Sequence, residues 1–357
     1  MRFIHFCDIR IGNSAESGRH WEKARSLELE SGLDRVMKEA ADYSAGLVLI
    51  SGGLFSHMPL SSELESVNRI FAAYPGIETV IIAGSTDPVR KSAPWRSFVW
   101  AKNVHFIRDD KPCSIELTRL RTVVYAASVA DDGCIDPDEL RSFIKEASDN
   151  AEPIRIAMLY SEDDKSVKEA LSGNGLSYTA VGSLQPGYRS ISNNIICPGH
   201  FEPDAMGDNG QHGIIRGEIS EQTGILESAE FVPMASAAYV PLLIKTNART
   251  DAAELEDLVK KEILKRGENN IYRLKLTGQR NPEESFDLGR LRKEYRIGEI
   301  IDETEPEYDF RSLFAEHPQD MIGFYIAKIV NDKHDMSAVE KRAMYYGLNA
   351  LLSTTEE

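Results

Sequence analysis

Cysteine is scarce in this chain. Cys7, Cys113, Cys134 and Cys197 are the only four, they lie far apart, and none makes a C-x-x-C. That spacing excludes the common thiolate zinc motifs and a dithiol redox motif, and the four read as buried, reduced thiols. No apolar run approaches the roughly 18 residues that a membrane span requires. The first residues also lack the charged, apolar and small-residue sections of a secretory signal. The expectation is a cytoplasmic protein without membrane contact. Positive charge is short as well, with 41 Lys and Arg against 57 Asp and Glu and a net charge of −16. A protein that coats nucleic acid by bulk electrostatics is therefore excluded, and any DNA contact must be local. The glycine loops that cradle phosphates, G-x-G-x-x-G and Walker-type, are missing, as are internal repeats and low-complexity tracts.

What is present is a globular composition, 42% hydrophobic over 357 residues, enough for two domains or for one large core with an appendage. The stretch Gly46–His57 organises the rest. It opens as a continuous apolar run, as expected of a strand buried on both faces, and closes in Gly52-Gly53, where the backbone must turn sharply or approach something closely. In open α/β sheets ligands bind beyond such strand ends.

Taken in order, residues 2–7 read as a first strand ending at Asp8, and residues 21–43 as one helix crossing to the organising strand. A helix over 60–74 and a strand over 78–83 follow, then strands over 104–107 and 121–126. Asp136 and Pro137 start a helix over 136–147 as N-cap and first helical residue. A strand over 154–159, a helix over 162–171 and a strand over 178–181 come next. Closely spaced strands near 191–197, 213–219 and 224–232 suggest a second, more antiparallel sheet. From Pro233 a small α+β unit is expected, with strands over 239–246 and 271–276 around a helix over 252–266. Residues 306–314 read as a linker, and 318–330 and 336–352 as helices with apolar stripes.

The strand ends carry Asp8-Ile9-Arg10, Gly52-Gly53, Gly84-Ser85-Thr86-Asp87, Tyr160 and Gly182-Ser183-Leu184-Gln185, followed by the loop Cys197–Glu202 and Gln211–Gly213. Their order and spacing resemble the calcineurin-like metallophosphoesterases, and among these the SbcD-type DNA double-strand-break-repair exonucleases. The resemblance covers about residues 1–232 and extends more loosely beyond. It implies a four-layer α/β/β/α sandwich over 1–232, a small α+β capping domain over 233–305 and a helical C-terminal tail over 306–357. It also implies two-metal hydrolysis of a phosphodiester, with manganese favoured.

Position by position, the ligands that the resemblance implies are mostly replaced. Asp-x-His reads Asp8-Ile9-Arg10, and the bridging aspartate is Gly53. In Gly-Asn-His-Asp/Glu, Ser85 replaces the amide and Thr86 the catalytic imidazole, while Asp87 keeps the acid with no histidine to orient. Tyr160 replaces a histidine, and Ser183 and Gln185 replace the two of Gly-His-x-His. Six of seven ligands are lost and Asp8 alone remains. Even loss of an outer-sphere partner costs about 10–100-fold in metal affinity or activity. The expectation is a catalytically silent relative with no confident catalytic residue and no metal, in which Arg10 pairs with Asp8 or Asp87. A working metallophosphoesterase with substitute ligands remains an alternative, as does a scaffold without a nucleic-acid role. His200, Glu202, Asp204, Asp208 and His212 crowd one loop and read either as a new cation site or as a solvated surface loop. His5 and His57 flank the site and read as structural.

One basic island, residues 89–102, interleaves Arg90, Lys91, Arg96 and Lys102 with Trp95, Phe98 and Trp100 and contains no acid. It reads as a DNA-end contact by phosphate pairing and base stacking, or as a segment docking its aromatics in the core. The tail helices read as a grip on the coiled coil of an SbcC-type, SMC-like ATPase, the partner the resemblance implies, or as packed on the chain itself. A homodimer is the remaining partner expectation.

Overall fold

The computed structural model describes residues 1–13, 16–130, 133–147, 152–208, 210–331 and 337–353. They form two compact units, residues 1–238 and 239–357. The first begins β1 (Arg2–Phe6), α1 (Glu22–Glu30), α2 (Gly32–Asp42), β2 (Leu47–Ser51), α3 (Ser61–Ala72), β3 (Glu78–Ile82) and β4 (Val104–Phe106). It continues β5 (Cys113–Leu117), β6 (Thr122–Ala126), α4 (Pro137–Glu146), β7 (Ile154–Tyr160), α5 (Asp164–Leu171) and β8 (Tyr178–Gly182). It closes with β9 (Arg189–Ser192), β10 (Ile195–Cys197), β11 (Gly213–Ile219) and β12 (Leu226–Pro233).

Two six-stranded sheets result, in the orders β12-β11-β1-β2-β3-β4 and β5-β6-β7-β8-β10-β9. The central strands of each run parallel. The organising strand shows why its sequence does not alternate. Leu47 and Leu49 face the second sheet, in one core with Val124, Met158 and Ala180. Val48 and Ile50 face the helices, in another core with Val36, Met37 and Val67. Leu140 and Ile144 of α4 and Val167 and Leu171 of α5 cover the outer side of the second sheet. The layers are therefore α/β/β/α, a mixed α/β sandwich.

Three expectations change. Residues 21–43 form two helices, because the chain breaks at Ser31-Gly32, where Gly32 lies against Phe201 and a Cβ would come 3.0 Å from its ring. The strands after residue 189 build no separate antiparallel sheet. The β11–β12 hairpin caps the first sheet beside β1, and β9–β10 caps the second beside β8, so each hairpin supplies backbone partners to an edge that would otherwise be open. Strand β5, unanticipated, closes the other edge of the second sheet.

His5 joins the sheets. Its Nδ1 lies 2.9 Å from Tyr178 Oη on β8 and its Nε2 2.7 Å from Ser51 Oγ on β2. Burial drives its pKa down to about 3, so the ring is neutral.

The second unit contains β13 (Tyr239–Thr246), α6 (Ala252–Arg266), β14 (Ile271–Arg280), α7 (Gly289–Glu294), β15 (Ile297–Pro306), α8 (Phe310–Glu316), α9 (Met321–Asn331) and α10 (Ala338–Ser353). Its three strands are parallel. Helix α6, capped by Asp251, buries Leu255, Val259 and Ile263 on one face against Leu242 and Leu274. The expected linker over 306–314 instead contains the start of α8, and Tyr308 and Phe310 pack on a cluster of Ile322, Ile326 and Leu348. Among the described residues no helix is long and apolar enough to cross a membrane.

A buried ion cluster fastens the helices of the first unit to the loop after β10. Glu202 accepts from Arg35 at 2.6 Å and from the backbone and hydroxyl of Ser236, and it pairs with the fully buried Arg25 at 3.1 Å. Removing one partner of such a cluster strands the others in low dielectric. Glu202→Ala is expected to lower the unfolding free energy by about 3–5 kcal/mol in denaturant titration, with Arg35→Ala, at the more exposed end, costing less.

Candidate functional site

The ends of β1, β2, β3, β7 and β8 meet at one point, and an aromatic ring fills it. Tyr160 is fully buried. A Cβ added at Gly52, Gly84 or Gly182 would come within 2.5, 2.8 and 2.8 Å of its ring, so three backbones close on it at contact distance. Ser85 Oγ donates to Tyr160 Oη at 3.1 Å. Burial pushes the phenol far above its usual pKa, and it stays neutral.

Beside the ring, Asp8 and Arg10 sit in left-handed backbone, φ 47° and 51°, next to Gly52 and Gly53 at 99° and 65°. This unusual geometry lets the loops after β1 and β2 run paired: Asp8 N–H bonds to Gly52 O at 3.0 Å, and Arg10 N–H to Gly53 O at 2.9 Å. A Cβ at Gly53 would lie 2.3 Å from Asp8 Oδ1. The two carboxylates of a metal bridge therefore cannot coexist here without rearrangement. Arg10 Nε reaches Asp8 Oδ1 at 3.3 Å, its Nη1 pairs with Asp204, and its Nη2 lies 3.1 Å from His200 Nε2. Asp8 Oδ2 is buried without a hydrogen-bond partner. Burial outweighs the nearby guanidinium and raises the Asp8 pKa to about 8.

Asp87 has become a structural clasp. Its Oδ1 accepts from Gly53 N–H at 3.2 Å and Gly84 N–H at 2.7 Å, and its Oδ2 from Phe55 N–H at 2.9 Å. Burial raises its pKa to about 6 against the pull of these bonds. Arg10 therefore pairs with Asp8 and Asp204, while Asp87 is held by backbone.

No family model matches the chain, and no curated protein does. Among solved structures, the chain is similar to TT1561 of Thermus thermophilus, a metallophosphoesterase-like structure. The identity is 12%, with 64% of this chain and 98% of that one covered and a TM-score of 0.39.

The remaining expected positions are occupied in other ways. Thr86 Oγ1 donates to Phe55 O at 2.8 Å. Ser183 Oγ donates to Glu162 Oε2 at 2.9 Å, Leu184 N–H to its Oε1 at 2.6 Å, and Gln185 Nε2 to Glu162 O at 3.0 Å. Glu162, not foreseen as part of the site, thus orders the turn after β8. Its place at the end of β7, just past Tyr160, was the available signal. The loop His200–His212 is no solvated surface loop: His200, Glu202 and His212 are buried. Nor do its side chains face a common point. Glu202 belongs to the arginine cluster, His200 Nε2 lies 2.7 Å from Leu184 O, and His212 Nδ1 lies 3.0 Å from His200 O. Among the described residues no three of His, Cys, Asp and Glu gather as a metal site. The side chains present do not fit a two-metal centre.

The basic island also differs from a stacking platform. Trp95 is fully buried and lies face to face with Phe106, ring centroids 4.5 Å apart. It cannot stack on a base, and its aromatic neighbours dock toward the core instead. Arg96 pairs with Asp109. Arg90, Lys91 and Lys102 are exposed.

Raised carboxyl pKa values make stability fall as pH rises. Between the ordinary aspartate value and about 8, folded Asp8 holds a proton that the unfolded chain has lost. His5 and His200, whose pKa values are lowered by burial, act in the opposite direction but only up to their ordinary value of 6.5. From pH 7 to 8, unfolding free energy is therefore expected to fall by up to about 1.4 kcal/mol. Asp8→Asn should flatten that slope in denaturant titrations at the two pH values.

Proposed function

We propose that this protein is an SbcD-type, DNA-repair exonuclease-like member of the metallophosphoesterase fold that has given up two-metal hydrolysis and acts by binding. The observation that carries this reading is the Tyr160 ring, seated against Gly52, Gly84 and Gly182 where the strand ends converge. A hydrolytic centre needs two cations clamping the reacting oxygens at such a point. The surrounding groups are committed elsewhere, Asp8 toward Arg10, Asp87 to backbone N–H groups and Glu202 to arginines. This weighs against a phosphodiesterase with substitute ligands.

The binding role falls to the second unit. A cavity of about 590 Å³ between α8 and α9 is lined by Tyr308, Phe310, Phe314 and Ile326. An apolar groove of this kind suits a helix of an SMC-like ATPase coiled coil. DNA ends are a weaker fit, because the basic island has Trp95 inside the core and keeps only Arg90, Lys91 and Lys102 exposed.

Titration calorimetry with manganese, run beside an exonuclease assay on a duplex end, tests the loss of hydrolysis. The expected result is neither saturable micromolar binding nor metal-dependent nucleotide release, and stoichiometric binding with activity rejects the proposal. Gly53→Asp is expected to lower stability by at least about 2 kcal/mol without restoring activity, because the new side chain meets Asp8. The coiled-coil base of an SMC-like ATPase is expected to retain the parent chain in a pull-down and to lose Phe314→Glu. Equal retention of both removes the groove from the proposal, and no retention of either leaves the scaffold reading.

A further inference from the structure

Helix α10 is apolar on two opposite sides, and only one is used within the fold. The inner side buries Met344 and Leu348 against Ile322 and Ile326 of α9. Gly347 also belongs to it, since a Cβ there would meet Tyr325 Oη at 2.1 Å. The outer side presents Val339, Ala343, Tyr346 and Ala350, all exposed, Val339 at 78% and Tyr346 at 69%. Their spacing of 4, 3 and 4 residues is read directly from the sequence. It places them in one narrow stripe, the seam of a helix pair, where a surface helix ordinarily carries polar residues.

The order along the stripe selects the occupant. Large and small residues alternate as Val, Ala, Tyr, Ala. A second α10 laid antiparallel across a twofold axis between Met344 and Tyr345 sets Val339 opposite Ala350 and Tyr346 opposite Ala343, on both sides of the axis. Every large side chain then meets an alanine, which lets two helices approach closely and fills the space between them. A parallel pair would stack tyrosine on tyrosine and leave alanine facing alanine. A twofold interface requires this self-complementarity, residue i meeting j and j meeting i. No charged residue lies on the stripe itself.

We propose that the outer face of α10 binds a second copy of this chain, antiparallel and twofold-symmetric. The contact spans about four helical turns, less than a standard stable interface, so the dimer forms reversibly at micromolar concentration. This holds whether or not the protein hydrolyses phosphodiesters, and it leaves the groove between α8 and α9 available.

Sedimentation of the full chain across the micromolar range is expected to show a monomer–dimer equilibrium. Tyr346→Glu should weaken it at least roughly tenfold with an unchanged circular dichroism spectrum, because the side chain is exposed. Orientation is read by cross-linking in a Cys134→Ser background, which removes the exposed native thiol. A mixture of Ala343→Cys and Tyr346→Cys chains should form a disulfide dimer more efficiently than either variant alone. A strict monomer, a dimer indifferent to Tyr346→Glu, or self-linking of each variant as efficient as the mixture overturns the proposal.

Discussion

The site depends on one packing constraint, the seating of the Tyr160 ring among Gly52, Gly84 and Gly182. Each glycine ends or follows a strand, so the ring contacts the ends of β2, β3 and β8 from the end of its own strand, β7. An aromatic side chain buries 150–250 Å² and packs with directional preference. It can therefore organise converging strand ends as ions can, but by contact and not by charge. Contact requires backbone within van der Waals reach, which explains why no side chain is tolerated at the three surrounding positions.

Much of the fold was legible in the sequence because burial leaves a direct mark on it. The unbroken apolar run of β2 announced a strand covered on both faces, and both faces are covered. Asp136-Pro137 announced the start of α4, and Asp136 caps it through Asp138 N–H. What escaped notice is pairing between distant segments. Nothing local in 213–232 says that the hairpin will lie beside β1 and not form a sheet of its own, since strand pairing is decided by which edge is open. The polar residues of 198–212 looked like surface for a related reason. Composition reports that Glu202 is charged but not that Arg25 and Arg35, about 170 residues earlier, bury and neutralise it.

The candidate site was half legible. That ligand positions had been replaced could be read residue by residue, but the new roles could not. Trp95 shows the difference most plainly. An aromatic among cations suggests stacking on bases, yet the same composition serves a loop that anchors itself in the core, and the stack on Phe106 takes the ring out of reach. Asp87 is similar. Its role as a clasp for three N–H groups follows from where the turns after β2 and β3 pass, which the spacing of its neighbours does not reveal.

Three carboxylates remain near the converging strand ends, and each is handled differently. A metal pair would neutralise several acids at once. Here Asp204, partly exposed, is paired with the Arg10 guanidinium. Asp87, fully buried, is surrounded by backbone donors that favour its charged form while burial opposes it, and its pKa settles near 6. Asp8, equally buried but with one oxygen lacking any donor, has only Arg10 at 3.3 Å to offset desolvation, and its pKa climbs to about 8. The order of these outcomes follows the number of donors each carboxylate receives and its exposure to water. Arg10 cannot serve all three, and a second cation would have to enter beside it against like-charge repulsion. The guanidinium and the phenol thus exclude metal jointly, one by charge and the other by volume. Reversal of either substitution alone would leave the other obstacle in place.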